Sequence, residues 1–208
     1  MKHPKDFRGQ TRLATRVARS LAQPQGQAQA DLWDIDQQRS VADVLVYELT
    51  GKKMSRSQMG RPRIGTSADV SLSHKNDFVA VATVPAPYRI GIDVEHLVTG
   101  LNAELFFGPA ITSRELPFFK TFCEKNNFSY SSGVAVFWSI KESFFKCLDY
   151  DFKPAKISVR SISGKGKIRF DMSDEIKTLM EGRGLALCSS KTLLRGEHIF
   201  SQTVMRKM

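Results

Sequence analysis

The chain has 208 residues, 41% hydrophobic and 25% charged, which is ordinary globular usage and argues against a disordered chain. Thirty-one Lys and Arg against 21 Asp and Glu give a net charge of +10. That balance favours nucleic acid, an anionic membrane, a phosphorylated cofactor or an acidic protein as partner. The three cysteines, Cys123, Cys147 and Cys188, are odd in number and lack metal-ligand spacing, so they read as reduced thiols of a cytoplasmic protein. No apolar run approaches the roughly 18 residues needed to cross a bilayer, so no membrane association is expected.

Residues 1–30 hold six Lys or Arg and one acid, with Leu13, Val17 and Leu21 at helical spacing. An organelle transit peptide has a similar pattern; the plainer reading is a basic N-terminal arm or helix. Gln23 to Ala30 is a polar, Pro- and Gly-containing connector. Asp36 to Leu49 then predicts a helix with Val41, Val44, Leu45 and Leu49 as its apolar stripe, capped by Asp34 or Asp36 and ended by Gly51. Lys52 to Arg63 carries five basic residues and no acid, a solvated loop or a phosphate-facing one.

Strands are predicted at Val70–Ser73, Phe78–Val84 and Arg89–Glu95, with Lys75-Asn76-Asp77 turning between the first two. Helices follow at about Ser113–Lys125 and at Val134–Leu148. Strands return at Lys156–Ile162, Lys167–Met172, Leu185–Ser190 and His198–Val204. Ser163-Gly-Lys-Gly-Lys167 lacks phosphate-loop spacing and reads as a hairpin turn. Helix, strands, helices and strands in that order predict an α+β fold. We expect two α+β halves of similar plan, 31–97 and 98–208, after the arm at 1–30.

Two segments carry chemistry. In Arg89-Ile-Gly-Ile-Asp93-Val-Glu95 alternate residues share a strand face. Ile90, Ile92 and Val94 then point into a core, while Asp93 and Glu95 project together beside Gly91, which leaves room for a ligand. Two carboxylates about 7 Å apart on one strand face repel unless a cation lies between them. Oxygen donors of this kind suit Mg²⁺; an exposed strand face with two solvated acids is the alternative. In the second segment, Phe137 to Lys146, Trp138, Glu142 and Lys146 form one i, i+4, i+8 row of a helix. Phe137, Lys141, Phe144 and Leu148 form the adjoining row, and the aromatics bury most of the helix. A surface Glu142–Lys146 ion pair is the alternative there.

Together, and in this order, the two segments resemble the signature of the 4′-phosphopantetheinyl transferase superfamily. That signature is a G-[IV]-D-x-E strand followed by an [FW]-[SCT]-x-K-E-[SA]-x-x-K helix. Gly91-Ile-Asp93-Val-Glu95 and Trp138-Ser-Ile-Lys141-Glu142-Ser143-Phe-Phe-Lys146 fit every defined position. The chain is also similar to the longer, surfactin-type branch, a monomer whose two halves form a pseudo-dimer. Arg39-Ser40 with Asp43-Val-Leu-Val46, Gly60-Arg61-Pro62 and Ser71-Leu72-Ser73-His74 match it, with Arg61 where that branch has Lys and Lys75 where a small polar residue is common. The resemblance runs from about Asp36 to Leu148 and more weakly beyond.

The resemblance implies transfer of the 4′-phosphopantetheine group of coenzyme A to a serine of an apo acyl or peptidyl carrier protein, with release of 3′,5′-ADP. It implies Asp93, Glu95 and Glu142 as ligands of Mg²⁺ (or Mn²⁺). Lys146 would meet the phosphates, and Glu142 would serve as base, directly or through water. Arg39, Ser40, Arg61, Pro62 and His74 would hold the adenosine and its 3′-phosphate, with Ser73 in the same coenzyme A-binding set. The carrier would dock an acidic helix on the basic surface, with Phe106, Phe107, Phe118 and Phe119 as a candidate apolar patch or as core. Two other readings compete: a non-catalytic relative that binds coenzyme A or a carrier, and a basic nucleic-acid binder. No nucleic-acid motif supports the latter, and intact Asp93, Glu95, Glu142 and Lys146 argue against the former.

Overall fold

A computed structural model of the protein describes residues 12–17, 35–57, 60–75, 78–97 and 110–208. The connector at 23–30, the remainder of the N-terminal arm, the turn residues Asn76 and Asp77, and Phe106 and Phe107 lie outside them. The first helix, α1 (Ile35–Thr50), buries Ala42, Leu45 and Val46 and partly buries Leu49, an i, i+3, i+4, i+7 stripe. This face is rotated from the expected one. Val44 is 50% exposed, because it follows the buried row round the helix instead of lying on it.

Two short strands, β2 (Ser55–Arg56) and β3 (Pro62–Arg63), make a hairpin of the basic stretch expected to be loop. β4 (Ala68–Lys75), β5 (Phe78–Pro85) and β6 (Tyr88–His96) follow. β5 pairs antiparallel with β4 and, on its other edge, with β1 (Arg12–Val17). The helical alternative for the arm therefore fails over these six residues. Leu13 and Val17 fit helical spacing, but Leu13, Thr15 and Val17 also alternate. An open edge of β5 offers a row of main-chain groups that an added strand satisfies.

The second half supplies α2 (Leu116–Asn126), α3 (Tyr130–Leu148), the hairpin β7 (Ile157–Ile162) and β8 (Ile168–Met172), α4 (Asp174–Gly182), and the hairpin β9 (Leu185–Arg195) and β10 (His198–Lys207). α4 was not expected from the sequence. Its signals are present all the same: Ser173 accepts from the Ile176 N–H as cap, acids fill the first turn, and Ile176 and Met180 are buried. β10 pairs antiparallel with both β6 and β9. The second sheet thus draws one strand from before residue 97, so the boundary read from sequence does not coincide with a sheet boundary. The architecture is α+β, with α3 laid across β6 and β10.

Two faces of β6 decide the interior. Ile90, Ile92 and Val94 pack between the sheets against Phe78, Ala80, Ala82 and Val84. On the opposite face, Gly91 meets α3 so closely that an added Cβ would strike the Ser143 carbonyl oxygen and the Cys147 amide. The room at Gly91 is therefore filled by a helix and not by a ligand, a correction to the sequence reading. Contact at this distance lets the residues two and four places further on, Asp93 and Glu95, face the helix row that carries Glu142 and Lys146.

The described helices include none long and apolar enough to cross a membrane. All three cysteines are free, and burial pushes the Cys147 thiol up to about 12 and the Cys123 thiol up to about 11.

Candidate active site

β4 and β6 run side by side in the same direction without main-chain pairing. Side chains close the gap. Asp69 Oδ2 accepts the Ile90 N–H (2.8 Å), Ser71 Oγ the Ile92 N–H (3.0 Å) and Ser73 Oγ the Val94 N–H (3.0 Å). Successive N–H groups of a strand point to opposite edges, so β10 takes one set and this polar ladder takes the other. Small polar residues at every second position, Asp69, Ser71 and Ser73, were the sequence signal for it. Of the three, the sequence points to Ser73 alone as functional, as a cofactor contact.

Ser73 is 4% exposed and spends its proton on the protein, donating to Asp93 Oδ1 at 3.0 Å. The same Oδ1 accepts from Lys146 Nζ at 2.8 Å. Asp93 is itself 2% exposed, and its second oxygen, Oδ2, is buried with no hydrogen-bond partner among the described residues. A buried carboxylate oxygen without a donor is costly. One oxygen is tethered and the other could take a cation.

Glu95 follows on the same strand face, and Glu142 approaches from α3. Asp93, Glu95 and Glu142 each offer an oxygen within 4.8 Å of the others. Trp138 Nε1 donates to Glu142 Oε2 at 3.0 Å, and Lys146 Nζ lies 3.2 Å from Glu142 Oε1. The helix row read from sequence thus becomes an orienting donor, a carboxylate and an ammonium. The i, i+4 ion pair expected as the plainer alternative is present too, but it is shared with Asp93.

Charges in the cluster shift one another. Burial raises the Glu95 carboxyl above its ordinary range, opposed by Lys75 and reinforced by Asp93 and Glu142. Burial alone would lower the Lys146 ammonium, yet Asp93 and Glu142 outweigh it and hold the group above the usual lysine range. Three gathered carboxylates with an orphaned oxygen are the donor set a hard divalent cation takes.

The cluster forms one wall of a cleft of about 580 Å³, also lined by Arg39, Arg56, Arg61, Pro62, His74, Lys75, Asp149 and Tyr150. Most residues singled out from the sequence therefore meet here. Ser40 does not line it; its hydroxyl donates to the Asp36 carbonyl within α1. Arg61 lies in the wall with its guanidinium engaged by Asp69, Asp149 and the Lys146 carbonyl. Partial desolvation, then Lys146, Arg39 and Arg56, lower the His74 imidazole below its ordinary value.

Lys141, the motif lysine beside Glu142, is not at the cleft. It is fully buried and donates to Glu115 Oε2 and to the Ala110 carbonyl, both at 2.7 Å.

Lys75 has a clear place: its Nζ lies 2.8 Å from Glu95 Oε2. The ammonium occupies the charge that a divalent ion would need. Replacing it, Lys75→Met, should tighten Mn²⁺ binding about threefold to fivefold, the range of a partly exposed ion pair. Titration of the protein with Mn²⁺ followed by electron paramagnetic resonance measures this; unchanged or weaker binding would mean that Lys75 does not compete.

No family model matches this chain, and no curated protein matches it. Among solved structures the chain is similar to the holo-ACP-synthase of Plasmodium yoelii, at 16% identity over 58% of this chain and 94% of that one, TM-score 0.44. It is similar also to the ACPS–CoA complex of Chronobacterium ammoniagenes, at 18% identity over 58% and 98%, TM-score 0.46. A third is the holo-[acyl-carrier-protein] synthase of Neisseria meningitidis, at 20% identity over 57% and 98%, TM-score 0.47. Likenesses this distant leave the function to be argued from the cleft itself.

Proposed function

We propose that this protein transfers the 4′-phosphopantetheine group of coenzyme A to a serine of an apo acyl or peptidyl carrier protein. The observation that carries the reading is the meeting of Asp93, Glu95 and Glu142 within 4.8 Å, with Asp93 Oδ2 unpartnered among the described residues and Lys146 alongside. Two sequence motifs far apart in the chain thereby compose a single anion-and-cation site. Held by these three carboxylates, Mg²⁺ would act as Lewis acid and template toward a diphosphate.

The serine oxygen bonds to the β-phosphorus, and the bond from that phosphorus to the bridging oxygen breaks. The electron pair leaves with 3′,5′-ADP. Lys146 faces the phosphates as a point charge that screens the leaving group. Glu142, fixed at one oxygen by Trp138, takes the serine proton directly or through a water. Orientation of two partners in a shaped cleft contributes as much as charge does.

A monomer is the working form that the resemblance to the two-halved branch implies. A net charge of +10 suits a carrier with an acidic docking helix, and three free cysteines suit the reducing cytoplasm.

Intact-protein mass spectrometry of a panel of apo carriers, incubated with the protein, coenzyme A and Mg²⁺, tests the proposal. A gain of one phosphopantetheine that EDTA abolishes is the expected result. No gain on any carrier, together with no binding of coenzyme A, would overturn it.

A further inference from the structure

We propose that the edge of the second sheet carries a binding site for a single-chain anionic amphiphile of the medium-chain carboxylate class. The site is separate from the cleft and does not rest on the transfer activity proposed above.

The register of the sheet sets its walls. Leu193 of β9 lies opposite Phe200 of β10, and Phe200 opposite Val94 of β6; Lys191, Gln202 and Ile92 form the next such row. Residues directly opposite share a face, and so do residues two places apart. This face turns toward β5, the reverse of the one that bears Asp93 and Glu95. It leaves a cavity of about 200 Å³ lined by Ile92, Val94, Phe200 and Leu193, with Ala80 of β5 facing them and Lys191 and Arg195 at the rim. An apolar void of about 150 Å³ admits benzene, so about 200 Å³ takes a chain of about eight carbons. Its mouth is open, since Leu193 is 61% exposed, while Ile92 and Val94 are buried at the base.

Cations collect at this mouth without acids to match. Lys191 and Arg195 alternate with Leu193 along β9 and are exposed. Lys167 stands directly opposite Lys191, at a bridge between the β7–β8 turn and β9. The Thr192 N–H donates to the Gly166 carbonyl at 2.9 Å, which makes the two lysines a non-hydrogen-bonded pair, the closer of the antiparallel spacings. Like charges so placed repel. The Ser163-Gly-Lys-Gly-Lys167 turn is fitted to hold them there: Gly166 has φ +71°, and a Cβ on it would strike the Thr192 carbonyl oxygen. Among the described residues none of Lys167, Lys191 and Arg195 has an ion-pair partner. Glu197, the acid of the β9–β10 hairpin, lies 3.1 Å from His96 Nε2. Lysines on an edge strand deter pairing with another chain, but that role needs no apolar cavity between them. Uncompensated cations around an apolar opening fit a ligand with an apolar chain and an anionic head.

The probe is octanoate, titrated into the full chain and followed by methyl NMR of Ile92, Val94 and Leu193. All three signals should shift with one saturable constant. Octanoate should bind about tenfold tighter than hexanoate, as two further buried methylenes imply. Dodecanoate, longer than the cavity, should gain little more. Octanol should bind about tenfold more weakly than octanoate, and Lys191→Gln with Arg195→Gln should erase that difference, at about threefold for each exposed cation. Both side chains are exposed, so this variant should keep its melting temperature. Coenzyme A should leave the octanoate constant unchanged, because β6 stands between the cavity and the cleft. No shift at the three methyls, displacement by coenzyme A, or a charge preference kept in the double variant would overturn the inference. So would binding to phosphatidylglycerol vesicles without binding of octanoate, which would make the patch a bilayer contact. None of these outcomes bears on the proposed transfer.

Discussion

Glu142→Gln is expected to lower single-turnover transfer by at least about a thousandfold, or about 4 kcal/mol of barrier. The substitution is isosteric and keeps an oxygen for the Trp138 Nε1 donor, which lies 3.0 Å away. What goes is the charge. The carboxylate cluster loses one of three donors, and Lys146 loses a partner at 3.2 Å. Glu142 is 30% exposed, so its neutral replacement leaves the fold close to unaltered, with a melting temperature within a few degrees. Mn²⁺ affinity should fall in the same variant, because one of the three carboxylates that would hold the cation is gone. A transfer rate within tenfold of the unaltered protein would remove Glu142 from the assigned role.

Lys141→Met should be the most damaging substitution for stability. Lys141 and Glu115 are both at zero exposure, 2.7 Å apart. Burial pushes the Lys141 ammonium below its ordinary range, with Glu115 opposing the shift. Glu115 also accepts the Val159 N–H on Oε1, at 2.6 Å, and the Thr112 N–H on Oε2, at 2.7 Å. The pair therefore joins α3, the segment entering α2, and β7 at one buried point. Removing only the lysine strands a buried carboxylate and should cost about 3–5 kcal/mol. In a chain of this size that corresponds to a fall in melting temperature of about 10 °C or more. Adding Glu115→Gln to Lys141→Met should restore only part of the loss: the stranded charge is gone, but the amide nitrogen replaces one of two oxygens that accept main-chain N–H groups. Calorimetric melting of the single and double variants decides it. A single variant as stable as the unaltered protein would mean the pair is not a structural join.

The motif lysine next to Glu142 shows where local pattern stops being informative. On sequence, Lys141 and Lys146 are two cations on one amphipathic helix, and the adjoining row that holds Lys141 differs little in composition from the row that holds Lys146. The helix faces separate them: one row turns toward β6 and the cleft, the other into the core beneath α2. Arg61 and Arg56 repeat the lesson on a hairpin, where alternation alone does not say which cation meets Asp69. Lys75 reads as a turn residue and stands against Glu95 instead. Gly91, expected to clear space for a ligand, clears it for α3.

By itself the sequence determined the strand that carries Asp93 and Glu95 on one face, the helix that carries Trp138, Glu142 and Lys146 on one row, and most of the elements around them. Periods of two and of 3.6 are properties of a single segment, so they can be read before any segment meets another. Tertiary structure alone decided which charges are spent and which are available, how far apart the three carboxylates lie, and that β6 is shared between a polar ladder to β4 and main-chain pairing to β10. Those outcomes depend on contacts between residues distant in the chain, and on the burial such contacts bring, which no local period encodes.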